Sequence, residues 1–169
     1  MHPALTLGKV RGLQEISNPK GLFTITALDH RGSLAKALNP GAPKSVSYQQ
    51  MVDYKIRLLT ALAPHSSAIL IDPVFGAAPA LQGAHIAGNQ GFLVSLEATG
   101  YEETQGDRLT TVAEGWSVEK IKRMGASAVK ILLYYNPGSA SAAQQEGFVR
   151  ESVEECREFD IPLLVEPMT

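Results

Sequence analysis

The sequence predicts an α/β fold of the (β/α)8, TIM-barrel type, here a truncated barrel with about five parallel strands. Three observations lead there. Apolar runs of strand length alternate with helix-length segments, which implies helical crossovers between parallel strands. An acidic residue closes four of the five runs, at Asp29, Asp72, Glu97 and Glu166. The remaining run, Ser127 to Tyr135, carries Lys130 in its middle. Side chains alternate faces along a strand, so Val129, Ile131, Leu133 and Tyr135 form one apolar face while Lys130, Leu132 and Tyr134 point the other way. An ammonium in mid-strand is costly unless it reaches a polar cavity. An open doubly wound sheet covers both faces with helices, whereas a closed parallel barrel has a lumen whose upper end is polar.

Taken in order, Met1 to Lys20 read as a leader with a short amphipathic turn at Leu13 to Ile16, and residues 21–169 as the domain proper. Gly21 to Leu28 is the first strand and runs into Asp29-His30-Arg31-Gly32, with a Pro/Gly loop at Asn39 to Pro43 after it. Ser45 or Ser47 can cap a helix through Leu62, with Met51, Ile56, Leu59 and Leu62 near one face. Ser67 to Ile71 is the second strand, followed by Asp72-Pro73 and a short helical stretch around Pro79 to Ala87. Gly91 to Leu96 is the third strand. The polar segment Ala98 to Arg108 is long for a βα connection, which favours a functional loop. A helix is expected from about Thr111 to Met124, with Gly125 placed to cap its C-terminus. The Lys130 strand comes fourth and a helix from about Ala142 to Phe159 follows it. Ile161 to Val165 is the fifth strand, ending in Glu166-Pro167.

Composition narrows the function classes. The 169 residues suffice for one domain with a sizeable core, and 44% hydrophobic with 19% charged content is that of an ordinary globular protein. A formal net charge of -2 gives no electrostatic case for nucleic acid or an anionic membrane. The apolar runs are too short to span a bilayer, and the first residues lack the basic start and apolar core of a signal peptide. The single cysteine, Cys156, cannot form an internal disulfide, and a reducing cytoplasm is the simple reading. Beside Val153 and Phe159 on its helix, it reads as a buried, inert thiol.

In a parallel barrel the strand ends ring one mouth, so four carboxylates and a lysine would meet there. Any one of the acids can simply mark where a strand surfaces, and Asp72 more than most because Asp-Pro is common turn chemistry. Lys130 can be a buried ion-pair partner of Glu166 or a catalytic amine. Of the eight lysines the others fall in loops, the leader or helices, so spacing alone makes Lys130 the candidate imine former and Glu166 its proton shuttle. Arg31 can fork onto a phosphate or a carboxylate, or close the mouth with a salt bridge. The histidines show no zinc spacing, and there is no Walker A loop, no GxGxxG after the first strand and no GxSxG elbow. No cofactor is expected.

Five stretches, in this order, carry a resemblance. They are Ala27-Leu28-Asp29-His30-Arg31-Gly32-Ser33-Leu34, Ser67-Ala68-Ile69-Leu70-Ile71-Asp72-Pro73, Glu97-Ala98-Thr99-Gly100-Tyr101, Ala128 to Tyr135, and Pro162-Leu163-Leu164-Val165-Glu166. Together they resemble the tagatose-bisphosphate aldolase family, class I metal-independent enzymes on (β/α)8 barrels, from about Leu13 onward. The sulfofructose-phosphate aldolases look like close relatives, and Glu166-Pro167 leans their way. The resemblance implies that residues 21–169 are the N-terminal part of a single aldolase domain. It implies Glu166 as acid/base, Lys130 as a substrate-contacting lysine that is not the imine former, and Asp29 and Arg31 as the polar pair at the substrate end. Asp72 and Glu97 join them as candidate substrate-binding residues. His30 departs from the glutamine expected between Asp29 and Arg31. The family's Schiff-base lysine lies on a sixth strand, past the five found here. This reading sets aside Lys130 as the nucleophile.

The expected activity is aldol cleavage of a phosphorylated ketose, with tagatose 1,6-bisphosphate giving dihydroxyacetone phosphate and glyceraldehyde 3-phosphate. The expected partner is a small-molecule sugar phosphate, without nucleic acid or membrane, in a cytoplasmic protein that has room for a homo-oligomer. Two other classes stay open. One is a Mg²⁺-dependent lyase using Asp29, Asp72, Glu97 and Glu166 as oxygen ligands. The other is a non-catalytic half-barrel, because eight strands are needed and five are found. The 169 residues alone are expected to be inactive.

Overall fold

The structure is a computed structural model that describes residues 5–99, 102–104 and 107–168. Expectations that fall on Met1 to Ala4, Gly100, Tyr101, Gln105, Gly106 or Thr169 lie outside the described residues. The chain divides into two compact units, residues 14–94 and residues 1–13 with 95–169. Helix α1 (Leu7–Ile16) contributes to both and is longer than the turn expected at Leu13 to Ile16.

In the unit of residues 14–94, β1 (Ile25–Leu28) leads to α2 (Gly32–Leu38) and then to α3 (Tyr48–Leu62). Strand β2 (Ala68–Ile71), α4 (Ala78–Gln82) and β3 (Gly91–Ser95) follow. Strand β1 pairs parallel with β2 from Ile25↔Ala68 to Leu28↔Ile71, and β2 with β3 from Ala68↔Gly91 to Ile71↔Val94. Both β2 and β3 are buried throughout, as their unbroken apolar runs require. The first strand begins four residues later than expected. The Asn18 side chain accepts from the N–H groups of Lys20 and Leu22, and Gly21 takes a positive φ of 74°, so residues 18–22 form a turn. At the start of β3 a Cβ on Gly91 would lie 2.1 Å from the Glu15 carbonyl oxygen, so the end of α1 packs where only glycine fits.

Helix α3 starts where the sequence allowed. Ser47 Oγ accepts from Gln50 N–H at 3.2 Å while Gln50 Oε1 accepts from Ser47 N–H at 2.8 Å, a reciprocal cap. Its buried stripe is Met51, Val52, Lys55 and Leu59, and Leu62 is exposed. The segment after Asp72 turns at once. Asp72 Oδ1 accepts from Val74 N–H at 3.0 Å and Phe75 N–H at 2.8 Å, starting a π-helical turn at Pro73–Ala77 that runs into α4. That helix therefore begins before the expected Pro79 and ends at Gln82, before Gly83.

In the other unit, the polar segment expected to be loop contains an antiparallel hairpin of β4 (Glu102–Thr104) and β5 (Asp107–Leu109). Next come α5 (Val118–Arg123), β6 (Ala128–Tyr134), α6 (Ala142–Glu158) and β7 (Leu163–Met168). Helix α5 is shorter than the expected Thr111 to Met124. Ala98 N–H donates to the Thr111 carbonyl at 2.8 Å and Ala113 N–H to that of Leu96 at 2.8 Å, which keeps that stretch extended. Ser117 then provides the cap, its Oγ accepting from Lys120 N–H at 3.1 Å. Strand β6 pairs parallel with β7 from Val129↔Leu163 to Tyr134↔Met168, and Leu96 N–H donates to the Lys130 carbonyl at 2.9 Å.

The expected two faces of β6 are present. Val129, Ile131 and Leu133 are buried, whereas Leu132 and Tyr134 are half-buried and Lys130 is enclosed by polar partners. Cys156 on α6 is buried, and desolvation pushes its thiol up to about 12. The N-terminal end of α1 is held from this unit: Asp160 accepts from Gly8 N–H at 2.9 Å and from the Thr6 hydroxyl. Those bonds hold the Asp160 carboxyl below its ordinary value, led by the Thr6 hydroxyl.

Candidate active site

The site in the unit of residues 95–169 is built on Lys130. Its ammonium Nζ lies 3.2 Å from Glu97 Oε1 and 3.0 Å from Glu166 Oε2. Register explains the meeting. Lys130 is paired with Leu164 and Leu132 with Glu166, so Lys130 and Glu166 share a face two residues apart, and the long lysine leans forward to the carboxylate. Glu97 follows β3, positioned by the Leu96 to Lys130 backbone bond and by a bridge between Glu97 and Val112. Lys130 and Glu97 are each 2% exposed, and Glu166 is 48% exposed. A buried ammonium is tolerable because two carboxylates compensate it. One carboxylate is fixed in the interior and orients the amine; the other reaches solvent and can exchange a proton with whatever binds there.

Further along the same face lies Tyr134, with the Arg108 guanidinium 5.0 Å from its ring centre. Gln145 on α6 is 1% exposed, and its Nε2 donates to the Arg108 carbonyl at 2.7 Å while its Oε1 accepts from Thr110 N–H at 3.4 Å. The Thr110 hydroxyl donates to the Leu132 carbonyl at 3.0 Å. The hairpin's return strand is thus tied to α6 and β6 at its root. Sequence reading singled out this segment but not Gln145, which is indistinguishable from a surface glutamine until the hairpin meets it.

Asp29, Arg31 and Asp72 belong to the unit of residues 14–94. Asp29 and Arg31 are half-buried just after β1, and His30 between them is exposed. Asp72 is 0% exposed, with one oxygen on the two backbone N–H groups and the other 2.7 Å from Lys55 Nζ. Both of its oxygens are engaged by the protein, so the turn chemistry weighed for it is what the geometry displays. Lys55, 1% exposed, also donates to the Leu28 carbonyl at 2.5 Å. Burial pushes its ammonium below the ordinary lysine value, against the opposing pull of Asp72 and, more weakly, Asp29. His30, Ser33, Leu34 and Lys55 border a cavity of about 210 Å³. Sequence reading missed Lys55. Its signal was the i, i+4, i+8 spacing Met51, Lys55, Leu59, which puts a lysine in the middle of a buried stripe.

Among the described residues, no group of three or more His, Cys, Asp or Glu side chains could hold a metal ion. The carboxylates converge on ammonium groups instead. Also among the described residues, no helix is long and apolar enough to cross a membrane.

Residues 23–169 match the model of the DeoC/LacD family of aldolases. The chain is 38% identical over 167 residues to a tagatose 1,6-diphosphate aldolase of Listeria monocytogenes, covering 98% of this chain and 48% of that protein. It is 33% identical to tagatose 1,6-diphosphate aldolase 1 of Streptococcus mutans, covering 96% of this chain and 50% of that protein. The chain therefore spans about half the length of these curated relatives. Among solved structures, an archaeal fructose 1,6-bisphosphate aldolase is similar with a TM-score of 0.59 and 20% identity, over 91% of this chain and 54% of that one. A fructose-bisphosphate aldolase from Slackia heliotrinireducens has a TM-score of 0.62 and 13% identity, over 98% of this chain and 54% of that one. The fold is α/β of the TIM-barrel type, with five of the barrel's parallel strands. On the family match across most of its length, the chain belongs to the DeoC/LacD family of aldolases.

Proposed function

We propose that the protein works in a class I aldolase that cleaves a phosphorylated ketose, with tagatose 1,6-bisphosphate as substrate and dihydroxyacetone phosphate and glyceraldehyde 3-phosphate as products. The observation that carries this reading is Lys130 held between buried Glu97 and half-exposed Glu166. The relatives named tagatose 1,6-diphosphate aldolase support the substrate.

Schiff-base chemistry needs a neutral amine with a free lone pair. An ammonium gripped by two carboxylates has none to offer, so Lys130 is not the imine former. It contacts substrate and supplies positive charge beside the reacting carbonyl. The imine lysine comes from a later strand, outside these 169 residues. Its amine adds to the ketose carbonyl with loss of water. Glu166 takes the proton from the hydroxyl at the carbon that becomes the aldehyde. The neighbouring carbon–carbon bond breaks, its electron pair passes into the iminium, and the aldehyde leaves. Glu166 then returns a proton to the enamine carbon, and water releases the ketone product. Asp29 and Arg31 bind the polar substrate, and the reaction takes place in the cytoplasm.

The test uses the full natural chain, incubated with tagatose 1,6-bisphosphate and assayed for dihydroxyacetone phosphate. Borohydride reduction with dihydroxyacetone phosphate then traps the imine for peptide mapping. Product formation with an adduct on a lysine outside residues 1–169 is expected. A reduced adduct on Lys130 overturns the role assigned to it, and no adduct with full activity overturns Schiff-base chemistry.

A second reading, a sulfofructose-phosphate aldolase, is favoured by the Glu166-Pro167 pair; a higher kcat/KM for the sulfonated substrate decides for it. A Mg²⁺-dependent lyase has less support, because Glu97 and Glu166 already close on the Lys130 ammonium and Asp72 on that of Lys55. Activity that is lost with EDTA and restored by Mg²⁺ decides for it.

A further inference from the structure

Lys55 stands where an apolar side chain would serve the packing. It sits in the middle of the buried stripe of α3, between Met51 and Leu59, and its partner Asp72 is buried as well. Taking both charges out of water is expensive, and such a pair often adds no more stability than apolar side chains of the same volume. Stability alone therefore does not account for an ammonium here. We propose that Lys55 is a positioning residue: by tying the end of β1 to the end of β2 it sets the backbone from which Asp29 and Arg31 meet the substrate. This rests on the aldolase reading above.

The placement follows from register. Leu28 and Ile71, the last residues of β1 and β2, are paired, so Asp29 and Asp72 leave the sheet at one level. Helix α3 lies on the crossover between these two strands. From it Lys55 Nζ reaches both ends, donating to the Leu28 carbonyl at 2.5 Å and lying 2.7 Å from Asp72 Oδ2. Asp72 is itself anchored, because its Oδ1 accepts from Val74 and Phe75 N–H. The ammonium thus hangs on a fixed carboxylate.

A peptide unit is planar. The carbonyl that Lys55 holds therefore fixes the nitrogen and Cα of Asp29 too. At the other end of the segment the Arg31 carbonyl accepts from Ala35 N–H at 3.0 Å, where α2 begins. Asp29 to Arg31 are pinned on both sides, and Lys55 is the pin on the strand side. Both charges are within electrostatic range of it: Asp29 pulls the Lys55 ammonium up and Arg31 pushes it down. A shift of about 1 Å in a substrate-binding segment can cost about 100-fold in rate.

The experiment measures kcat and KM for a phosphorylated ketose in the full natural chain, per folded molecule. It compares wild type, Lys55→Met, the double variant Lys55→Met with Asp72→Asn, and Leu59→Ala. The last is a destabilised control on the same buried stripe that leaves the tie intact. Lys55→Met and the double variant should share a KM raised about 10- to 100-fold with kcat little changed, although the double is the more stable of the two. Leu59→Ala should keep the wild-type KM. If Lys55→Met fails to fold, the double variant decides. An unchanged KM in Lys55→Met, a KM that recovers with stability in the double variant, or an equal rise in Leu59→Ala overturns the proposal. If the wild-type protein does not cleave the ketose, the aldolase reading fails on its own. Amide hydrogen exchange at residues 29–31 then decides for the tie. Faster exchange there in the double variant than in Leu59→Ala supports it, and equal exchange overturns it.

Discussion

Replacing Lys55 with methionine should be among the most damaging single changes in the unit of residues 14–94. The side chain is of similar length and apolar, so packing is nearly kept and the charge is removed. Lys55 and Asp72 are 1% and 0% exposed at 2.7 Å. At an effective dielectric of about 20 their gross attraction is roughly 6 kcal/mol. Much of that offsets the desolvation of both ions, so the pair adds little net stability. Breaking it is different, because Asp72 keeps its two backbone N–H bonds and its charge but loses its counter-ion. The expected cost is about 3–5 kcal/mol, a large share of the roughly 5–15 kcal/mol that holds a domain together. In a thermal scan it corresponds to roughly 6–20 °C. The double variant Lys55→Met with Asp72→Asn separates charge from packing. Asparagine retains the oxygen that Val74 and Phe75 N–H require. What then remains is the lost donor to the Leu28 carbonyl, about 1–3 kcal/mol, and an asparagine N–H facing methionine, a smaller penalty than an unpaired buried charge. Urea titration of wild type, single and double variants in the full natural chain measures this. A single variant within about 1 kcal/mol of wild type, or a double no more stable than the single, refutes the reasoning.

In the intact enzyme, Glu166→Gln should lower the chemical rate by about 10²- to 10⁴-fold while leaving melting nearly unchanged, because Glu166 is 48% exposed; a near-wild-type single-turnover rate removes it from proton transfer. Docking of α1 should weaken in acid. Asp160 has its folded value held below the ordinary 3.8, so its contribution is complete above 3.8 and is lost as pH falls through the lowered value. Proteolytic nicking in α1, compared between wild type and Asp160→Asn, should differ at neutral pH and converge in strong acid. A difference that persists unchanged removes Asp160 from the linkage.

Local chemistry made much of this protein legible before any coordinates. The apolar runs of β2 and β3 are of strand length and bounded by turn residues, so they read as strands. Ser47 is one of the two caps the sequence offers for α3, and the bonds with Gln50 select it. Lys130 declares itself because a period-two pattern has no place for an ammonium in a strand unless that face is polar. Glu166 follows because parallel pairing puts it on the face of Lys130. These readings depend on neighbours along the chain or on the fixed geometry of a strand.

What only the tertiary structure decided are partnerships between distant residues. Glu97 joins the cluster because the Leu96 backbone beside it bonds to β6, which brings its side chain to Lys130, 33 residues away in sequence. Lys55 lies in an ordinary amphipathic helix, and its burial becomes visible only when Asp72 and the Leu28 carbonyl meet it from two strands. Thr111 to Trp116 look helical, yet bonds to Leu96 and Ala98 hold Thr111 to Ala113 extended and Glu114 and Gly115 then turn, since tertiary pairing outweighs weak propensity. Gln145 is a surface residue by composition and an interior one by position, because a hairpin root needs a donor and an acceptor at one point. Periodicity fixes which way a side chain points, whereas the partner it finds there is settled by chain crossings that no local pattern encodes.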